Sequence, residues 1–170
     1  MLKKSFLLCY NFFAKNTQKG NSLFNDNIKY LNFEAIAHLI TTLDITKDNN
    51  ILFCHIVLKK QSMNCPVFGS IQCIVHDYQP KKIVHSVSTS SPCFLLYKAR
   101  RYRCKLCHKI FYEDNPFVPN QSKSSTYTIL SVLHSLRSHT STFTSVAKTF
   151  NLSKQTVMNI FDSYVDCSKK

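Results

Sequence analysis

The sequence predicts an α+β protein in which a small β-rich unit precedes an all-α unit of three helices. Two observations favour this order. Segments rich in β-branched and apolar residues lead into a Cys-x-x-Cys pair, Cys104 and Cys107, and beyond residue 123 apolar residues recur at helical spacing. The chain has 170 residues, of which 44% are hydrophobic. This suffices for one ordinary domain or two small ones and excludes a chain that is disordered by composition.

The chain is strongly basic, with 22 Lys and Arg residues against 9 acidic residues and a net charge of +13. From Lys98 to the C-terminus, 12 basic residues stand against 4 acidic ones, so the excess is concentrated in the second half. Such an excess indicates a polyanionic partner, with nucleic acid favoured over an anionic membrane. The plain alternative is a basic protein without such a partner.

Export and membrane insertion are not expected. The segment Met1–Tyr10 is similar to an export signal, but Asn11 interrupts its apolar run and no small-x-small cleavage site follows. No run reaches the ~20 apolar residues that span a bilayer. We therefore expect a cytoplasmic protein with no membrane partner, in which a Cys-x-x-Cys pair indicates metal or redox chemistry. Redox chemistry is disfavoured because the pair follows a strand instead of opening a helix.

The first 60 residues contain three predicted segments. Residues 1–30 show no sustained hydrophobic period and are predicted to be a poorly ordered leader. In residues 31–43 the apolar positions recur at helical spacing, which predicts a short amphipathic helix. Residues 51–58 are apolar and β-branched, which predicts a strand. Residues 31–60 thus form a helix and a strand that precede the first cysteine motif.

Residues 61–113 predict a zinc ribbon, which is two cysteine turns joined by short strands. The first turn is Cys65-Pro-Val-Phe-Gly69 and the second begins at Cys104. Strands are predicted over 71–78, 82–87 and 94–103. Zinc is the predicted cofactor, with Cys65, Cys104 and Cys107 as its ligands.

The first turn lacks its second thiol, because Phe68 stands at the position where a knuckle has a cysteine. A site with three thiolates binds zinc weakly, takes a water or recruits a fourth donor. The candidates for that donor are Cys73, which is favoured, and His76 and His108. The alternative is a ribbon that folds without zinc, with Phe68 packed into the gap.

The remaining sequence predicts a linker and a helix-turn-helix. Residues 114–123 contain two prolines and are predicted to be a linker, and residues 124–166 are predicted to form the helices. Ser125 can cap the first helix. In the segment from Thr144 to Phe161, Asn151 occupies the position of the turn that needs a left-handed residue, and Ser153 caps the second helix. A plain helical hairpin is the alternative.

The predicted DNA-binding residues fall into three groups. Gln and Asn side chains can pair with adenine and Lys can reach guanine or phosphate, so the outward positions of the second helix would read bases. These positions are Lys154, Gln155, Thr156 and Asn159. Lys148 and Arg137 would contact phosphates and set the register. Arg100, Arg101 and Arg103 would begin the basic surface that leads into the helices.

The order of these motifs resembles the N-terminal part of bacterial insertion-sequence transposases of the ISL-three group. The shared features are Cys-Pro-x-x-Gly-Ser, His76-x-Tyr78, Arg-Arg-Tyr-Arg-Cys-x-x-Cys and the helix-turn-helix with Leu-Ser-x-x-Thr-Val, and they extend over residues 43–165. The resemblance implies a zinc ribbon and a helix-turn-helix that bind the terminal inverted repeats of the element. It also implies a following catalytic domain with an Asp-Asp-Glu triad that binds divalent metal ions.

Two departures from that family shape the expected function. Phe68 replaces a family cysteine, and none of the nine acidic residues lies in a β-rich context that could form the triad. We therefore assign no catalytic residue and expect a truncated or degenerate copy that binds double-stranded DNA without strand transfer, as a monomer or as a homodimer. The alternatives are part of an active transposase and a free-standing transcription regulator.

Overall fold

The computed structural model describes residues 20–86, 91–119 and 122–165. It contains both a five-stranded sheet and helices, as the α+β class predicts. The helices are α1 (Gly20–Tyr30), a 3₁₀-helix (Glu34–Leu39), α2 (Thr126–Leu136), α3 (Phe143–Phe150) and α4 (Lys154–Tyr164). The strands are β1 (Ile40–Asp48), β2 (Ile51–Leu58), β3 (Cys73–Val84), β4 (Cys93–Cys104) and β5 (Ile110–Tyr112).

The sheet has the strand order β1-β2-β4-β3, and β5 pairs with the end of β4. The β2–β4 pair is parallel and the other pairs are antiparallel. Leu52, Cys54, Ile56 and Leu58 alternate along β2 as buried residues, and β4 buries Leu95 and Tyr97 on the same face. This alternation places one face of the sheet on a core. Residues from α1, the 3₁₀-helix and Phe117 cover that core.

Two predictions for the first 43 residues are corrected. Residues 20–30 of the predicted leader form α1, because Ile28 and the following Leu31 pack into the core; residues 1–19 lie outside the described residues. The predicted helix over 31–43 is wrong for its last part. A 3₁₀-helix ends at Leu39, and Ile40 begins β1, where sheet pairing with β2 outweighs local helical spacing.

The strands predicted over 71–78 and 82–87 are one continuous strand, β3, as far as Val84. Pro80, which lies between the two predicted segments, is within this strand opposite Lys98. Within the described residues β3 is an edge strand, where the missing N–H of a proline can face outward without breaking the ladder. The predictions of strands over 51–58 and 94–103 are confirmed by β2 and β4.

The three C-terminal helices pack around a second, separate core of Ile129, Val132, Val146, Ala147, Val157 and Ile160. Each helix begins at a predicted kind of cap: the hydroxyls of Ser125, Thr142 and Ser153 accept hydrogen bonds from the backbone N–H groups of Thr128, Ser145 and Thr156. None of the helices in the described ranges is long and apolar enough to cross a membrane.

A buried polar junction connects the sheet to the helices. His85 is fully buried after β3; its Nε2 lies 3.0 Å from the Leu31 carbonyl and its Nδ1 lies 2.8 Å from Ser125 Oγ. The Ser86 hydroxyl donates to the Phe150 carbonyl at the end of α3 (2.8 Å). The segment predicted as a linker, 114–123, contributes Phe117 to the sheet core, between Phe33 and Tyr97. The hydrogen bonds of His85 and Ser86 thus connect the sheet to the helices.

Candidate metal centre and nucleic-acid interface

Two backbone turns at one end of the sheet have the same conformation. In the first turn, Gly69 N donates to Cys65 O (2.8 Å) and Cys65 N donates to Ser70 O (2.9 Å). In the second, His108 N donates to Cys104 O (3.0 Å) and Cys104 N donates to Lys109 O (3.0 Å). The fifth residue of each turn is left-handed, with φ of 64° at Gly69 and 59° at His108. The turns are therefore equivalent, with Cys65 matching Cys104 and Phe68 matching Cys107.

These turns bring the three predicted ligands together. The Sγ atoms of Cys65, Cys104 and Cys107 lie within 4.8 Å of one another, and the Cys65 and Cys107 sulfurs are 3.5 Å apart. Two thiolates on one tetrahedral zinc ion are separated by about 3.8 Å, given Zn–S bonds of about 2.3 Å. Backbone N–H donation, first from Cys107, lowers the pKa of Cys104 to about 7. The three thiols can thus bind a metal ion, and zinc is compatible with them.

Phe68 does not fill the gap in the first turn. Its side chain is 67% exposed, and Val67 and Leu106 in the two turns are exposed as well. The alternative in which Phe68 packs between the turns is therefore wrong. A phenyl ring has no ligand atom, so Phe68 cannot replace a thiol beside Cys65, Cys104 and Cys107.

The candidates for a fourth ligand lie in different places. Cys73 is the Cα partner of Cys104 in the β3–β4 ladder, although its sulfur lies outside the 4.8 Å group. His108 faces outward, with Nδ1 3.1 Å from the guanidinium of Arg103. His76 is exposed on β3.

The arginines of β4 differ in their surroundings. Arg100 is 8% exposed; its guanidinium pairs with Glu113 (2.9 Å) and also donates to the carbonyls of Leu58 and Lys59. Arg101 forms a two-point pair with Asp77, and this pair holds the pKa of the Asp77 carboxyl below its usual range. Arg103 is exposed. A DNA contact by Arg100 or Arg101 stays a prediction from the sequence.

The helices α3 and α4 form a helix-turn-helix. Asn151 joins them in the left-handed conformation (φ 54°, ψ 41°), and its N–H bonds back to α3. Ala147 on α3 is small and buried, which lets α4 approach closely, and Val157 and Ile160 bury the inner face of α4. Leu152 packs against this core from the turn. Residues 113–165 match the helix-turn-helix domain of transposase family ISL3.

The ISL3-type domain indicates DNA binding in a transposase family. The matched residues include α2, α3 and α4 and leave out the thiol turns, so the match does not bear on the metal site. No curated protein and no solved structure is significantly similar to the chain.

The polar residues of α4 in the ISL3-type domain are presented at its surface. Lys154, Gln155 and Asn159 are exposed, and Gln155 Nε2 donates to Asn159 Oδ1 (2.8 Å). Thr156 is half-buried and its hydroxyl bonds to that of Ser153 (2.8 Å). Lys148 and Arg137, the two predicted phosphate contacts, are exposed on α3 and after α2.

Thr156 and Asn159 also line an open cleft of about 840 Å³ between α4 and the end of the sheet. Lys123 is exposed on the wall of this cleft, in the segment before α2. Lys123 was assigned to a linker, and no local pattern in the sequence indicates that it lies beside α4.

Proposed function

We propose that the chain binds the terminal inverted repeats of an insertion sequence, with α4 as the recognition helix. The observation that supports this most directly is the set of exposed polar residues in the N-terminal half of α4, the second helix of a helix-turn-helix that matches a transposase family. In such motifs the N-terminal residues of the second helix contact base edges in the major groove. The proposal concerns DNA binding, and strand transfer is not part of it.

The paired amides of Gln155 and Asn159 suit base recognition. Their mutual hydrogen bond orients both side chains and leaves one acceptor on Gln155 and donors on both residues. An adenine edge needs one donor and one acceptor side by side. Lys154 adds a cation beside this pair at the start of the helix, where it can reach guanine or a phosphate.

The exposed cations around α4 would bind the DNA backbone. Lys148 on α3 and Arg137 after α2 have no ion-pair partner among the described residues, in contrast to Arg100 and Arg101. Phosphate contacts fix the position of a protein on the duplex without reading its sequence. Lys123, on the cleft beside α4, is a further contact of this kind.

The test separates base reading from backbone contact. A duplex is selected by the wild-type protein from a random-sequence pool and then compared with the DNA that flanks the gene. Replacing Gln155 with Ala should weaken binding to the selected duplex by about 1–3 kcal/mol and leave binding to a scrambled duplex nearly unchanged. Replacing Lys148 with Ala should weaken both and reduce the slope of log affinity against log salt by about 1.

Two outcomes would contradict the proposal. One is an equal loss on selected and scrambled DNA for Gln155→Ala, which would mean that α4 does not read bases. The other is a selected site that does not occur in the ends of any flanking inverted repeat, which would favour a transcription regulator instead. Thr144→Ala, on the exposed side of α3, serves as a control that should change neither affinity.

For the turns, we propose that Cys65, Cys104 and Cys107 hold a zinc ion that closes the end of the sheet. The support is the convergence of three thiols from two equivalent turns 39 to 42 positions apart in sequence. Such an ion would be structural, because it would link the two turns and take no part in base reading. Elemental analysis of the purified protein should give about one zinc per chain, and a protein without zinc would contradict this part.

A further inference from the structure

The two equivalent turns differ at one ligand position. Cys65 and Cys104 begin the turns, and Cys107 is the second thiol of the second turn, but its counterpart in the first turn is the exposed Phe68. A structural zinc site is almost always closed by four ligands. With three thiols present, the chain needs one more donor to close the site, and the turns themselves do not provide it.

We propose that Cys73 is the fourth ligand and takes the place that Phe68 leaves in the first turn. This inference rests on the metal site proposed above. The fourth ligand would then come from the first residue of β3, whereas in a site built from two complete turns it would come from the first turn. The ligand spacing in the first half of the site becomes eight residues, from Cys65 to Cys73, in place of three.

The strand register places Cys73 on the correct side of the sheet. Cys73 and Cys104 are direct Cα partners at the ends of β3 and β4. Side chains of direct antiparallel partners point to the same face, with Cβ atoms about 4.5–5.5 Å apart. The thiol of Cys73 therefore projects to the face on which Cys104 meets Cys65 and Cys107.

The surroundings of the Cys73 thiol agree with this position. The sulfur is half-buried and donates to the Ser70 carbonyl (3.5 Å), which also accepts from Cys65 N in the first turn. The Cys73 sulfur lies outside the group of three sulfurs that are within 4.8 Å of one another, so the thiol has to turn toward Cys104 to bind the ion. The present bond to Ser70 is a weak one, since a thiol is a weak donor.

The other nearby donors are directed elsewhere. The Nδ1 atom of His108 faces the Arg103 guanidinium, and His108 occupies the left-handed position that ends its turn. His76 is exposed, three residues further along β3. A water molecule is the remaining competitor for the fourth position, and the test distinguishes it from a thiolate by counting sulfur atoms.

The test is X-ray absorption spectroscopy on the zinc-loaded full chain, with three variants. The wild-type protein should show four sulfur atoms around zinc, and Cys73→Ser should show three and one lighter atom. Zinc affinity of Cys73→Ser should fall at least about tenfold, since loss of even an outer-shell partner costs 10–100-fold. Phe68→Cys combined with Cys73→Ser should restore four sulfur atoms and the affinity, because it returns the thiol to the turn. Ile71→Ser, between the two positions and exposed, is the matched control and should change neither quantity.

Two results would overturn the assignment. A wild-type site with three sulfur atoms that is unchanged in Cys73→Ser would give the fourth position to water. A wild-type protein that holds no zinc would overturn the metal site together with Cys73, and DNA binding measured on that sample would show whether the function proposed for α4 stands without it.

Discussion

The arginines of β4 and the polar residues of α4 are both predicted from the sequence to bind DNA, but their surroundings in the structure differ. Arg100 and Arg101 each face a carboxylate, with side-chain exposures of 10% and 30%, and both guanidinium groups form several hydrogen bonds within the protein. Lys154 and Gln155 on α4 are exposed, and no ion pair holds Lys154 within the described residues. A cation that is paired inside the protein supports the fold, whereas an exposed one is available to a ligand.

The difference shows that basic residues in a sequence do not by themselves mark a DNA-binding surface. A buried ion pair such as Arg100–Glu113 fixes the position of β4 against the loop after β2, through the carbonyls of Leu58 and Lys59. Removing one partner of such a pair is costly because the other charge is left without compensation. Replacing an exposed residue away from caps and cores usually changes stability by less than about 0.5 kcal/mol. Substitutions at the paired arginines of β4 should therefore lower stability, whereas substitutions at the exposed residues of α4 should lower DNA affinity.

The largest effect is expected at Glu113. Replacing it with Gln keeps the size of the side chain and removes the charge that compensates Arg100, which should lower the free energy of unfolding by about 3–5 kcal/mol. Urea denaturation followed by circular dichroism measures the change. The matched control is Asp77→Asn, which breaks the more exposed pair with Arg101 and should change the free energy of unfolding far less, because solvent screens that pair.

If Glu113→Gln left stability unchanged and altered DNA affinity, Arg100 would belong with the residues of α4. The distinction between paired arginines that support the fold and exposed residues that bind DNA would then be wrong.

The second effect is a pH dependence at the junction between the sheet and the helices. The Leu31 carbonyl can only accept, so the neutral ring of His85 donates from Nε2 and accepts at Nδ1 from Ser125. Burial lowers the pKa of His85 to about 4 from 6.5. Below pH 6.5 the unfolded chain binds a proton that the folded chain does not, so stability is full above pH 6.5 and falls as the pH decreases toward 4.

The expected loss over this range is about 3 kcal/mol, which urea denaturation at pH 7.5 and pH 4 can measure. His85→Gln should remove this part of the acid sensitivity, while His38→Gln, at an exposed position of the 3₁₀-helix, should retain it. An equal acid loss in wild-type protein and His85→Gln would assign the effect to carboxylates such as Asp77. The junction would then not depend on a neutral imidazole.

The smallest effect is expected at the turn of the helix-turn-helix. Asn151 is left-handed, and a side chain with a Cβ but no local hydrogen bonding costs about 1–2 kcal/mol there. Asn151→Ala should therefore lower the free energy of unfolding by this amount, whereas Asn151→Gly should be nearly neutral. Because neither variant changes the exposed face of α4, the ratio of affinities for selected and scrambled DNA should stay the same. A changed ratio would mean that the turn itself contacts DNA.

Local signals predicted the C-terminal helices well. The hydroxyl caps at Ser125 and Ser153 and the left-handed Asn151 act within a few residues of chain, and the structure confirms each of them. The N-terminal part was predicted less well. The helical spacing of residues 31–43 competed with sheet pairing, and the partner strand that decided the outcome begins at Ile51.

The candidate site shows the same division. The sequence identified Cys65, Cys104 and Cys107, because Cys-x-x-Cys and Cys-Pro-x-x-Gly turns are local motifs, and the structure brings the three thiols together. It did not show that His108 matches Gly69, since a histidine with positive φ has no sequence signature. It also did not show that Phe68 is exposed, which depends on how the two turns meet.

The sequence by itself determined the α+β class, the two cysteine turns and the helix-turn-helix, because each depends on residues close together along the chain. The tertiary structure decided which cations are free, what surrounds His85 and which residue faces Cys104. Those contacts depend on strand register: Asp77 meets Arg101 and Cys73 meets Cys104 because β3 and β4 pair with one particular alignment. A shift of one residue would turn each of these side chains to the other face of the sheet, and no local pattern in the sequence specifies that alignment.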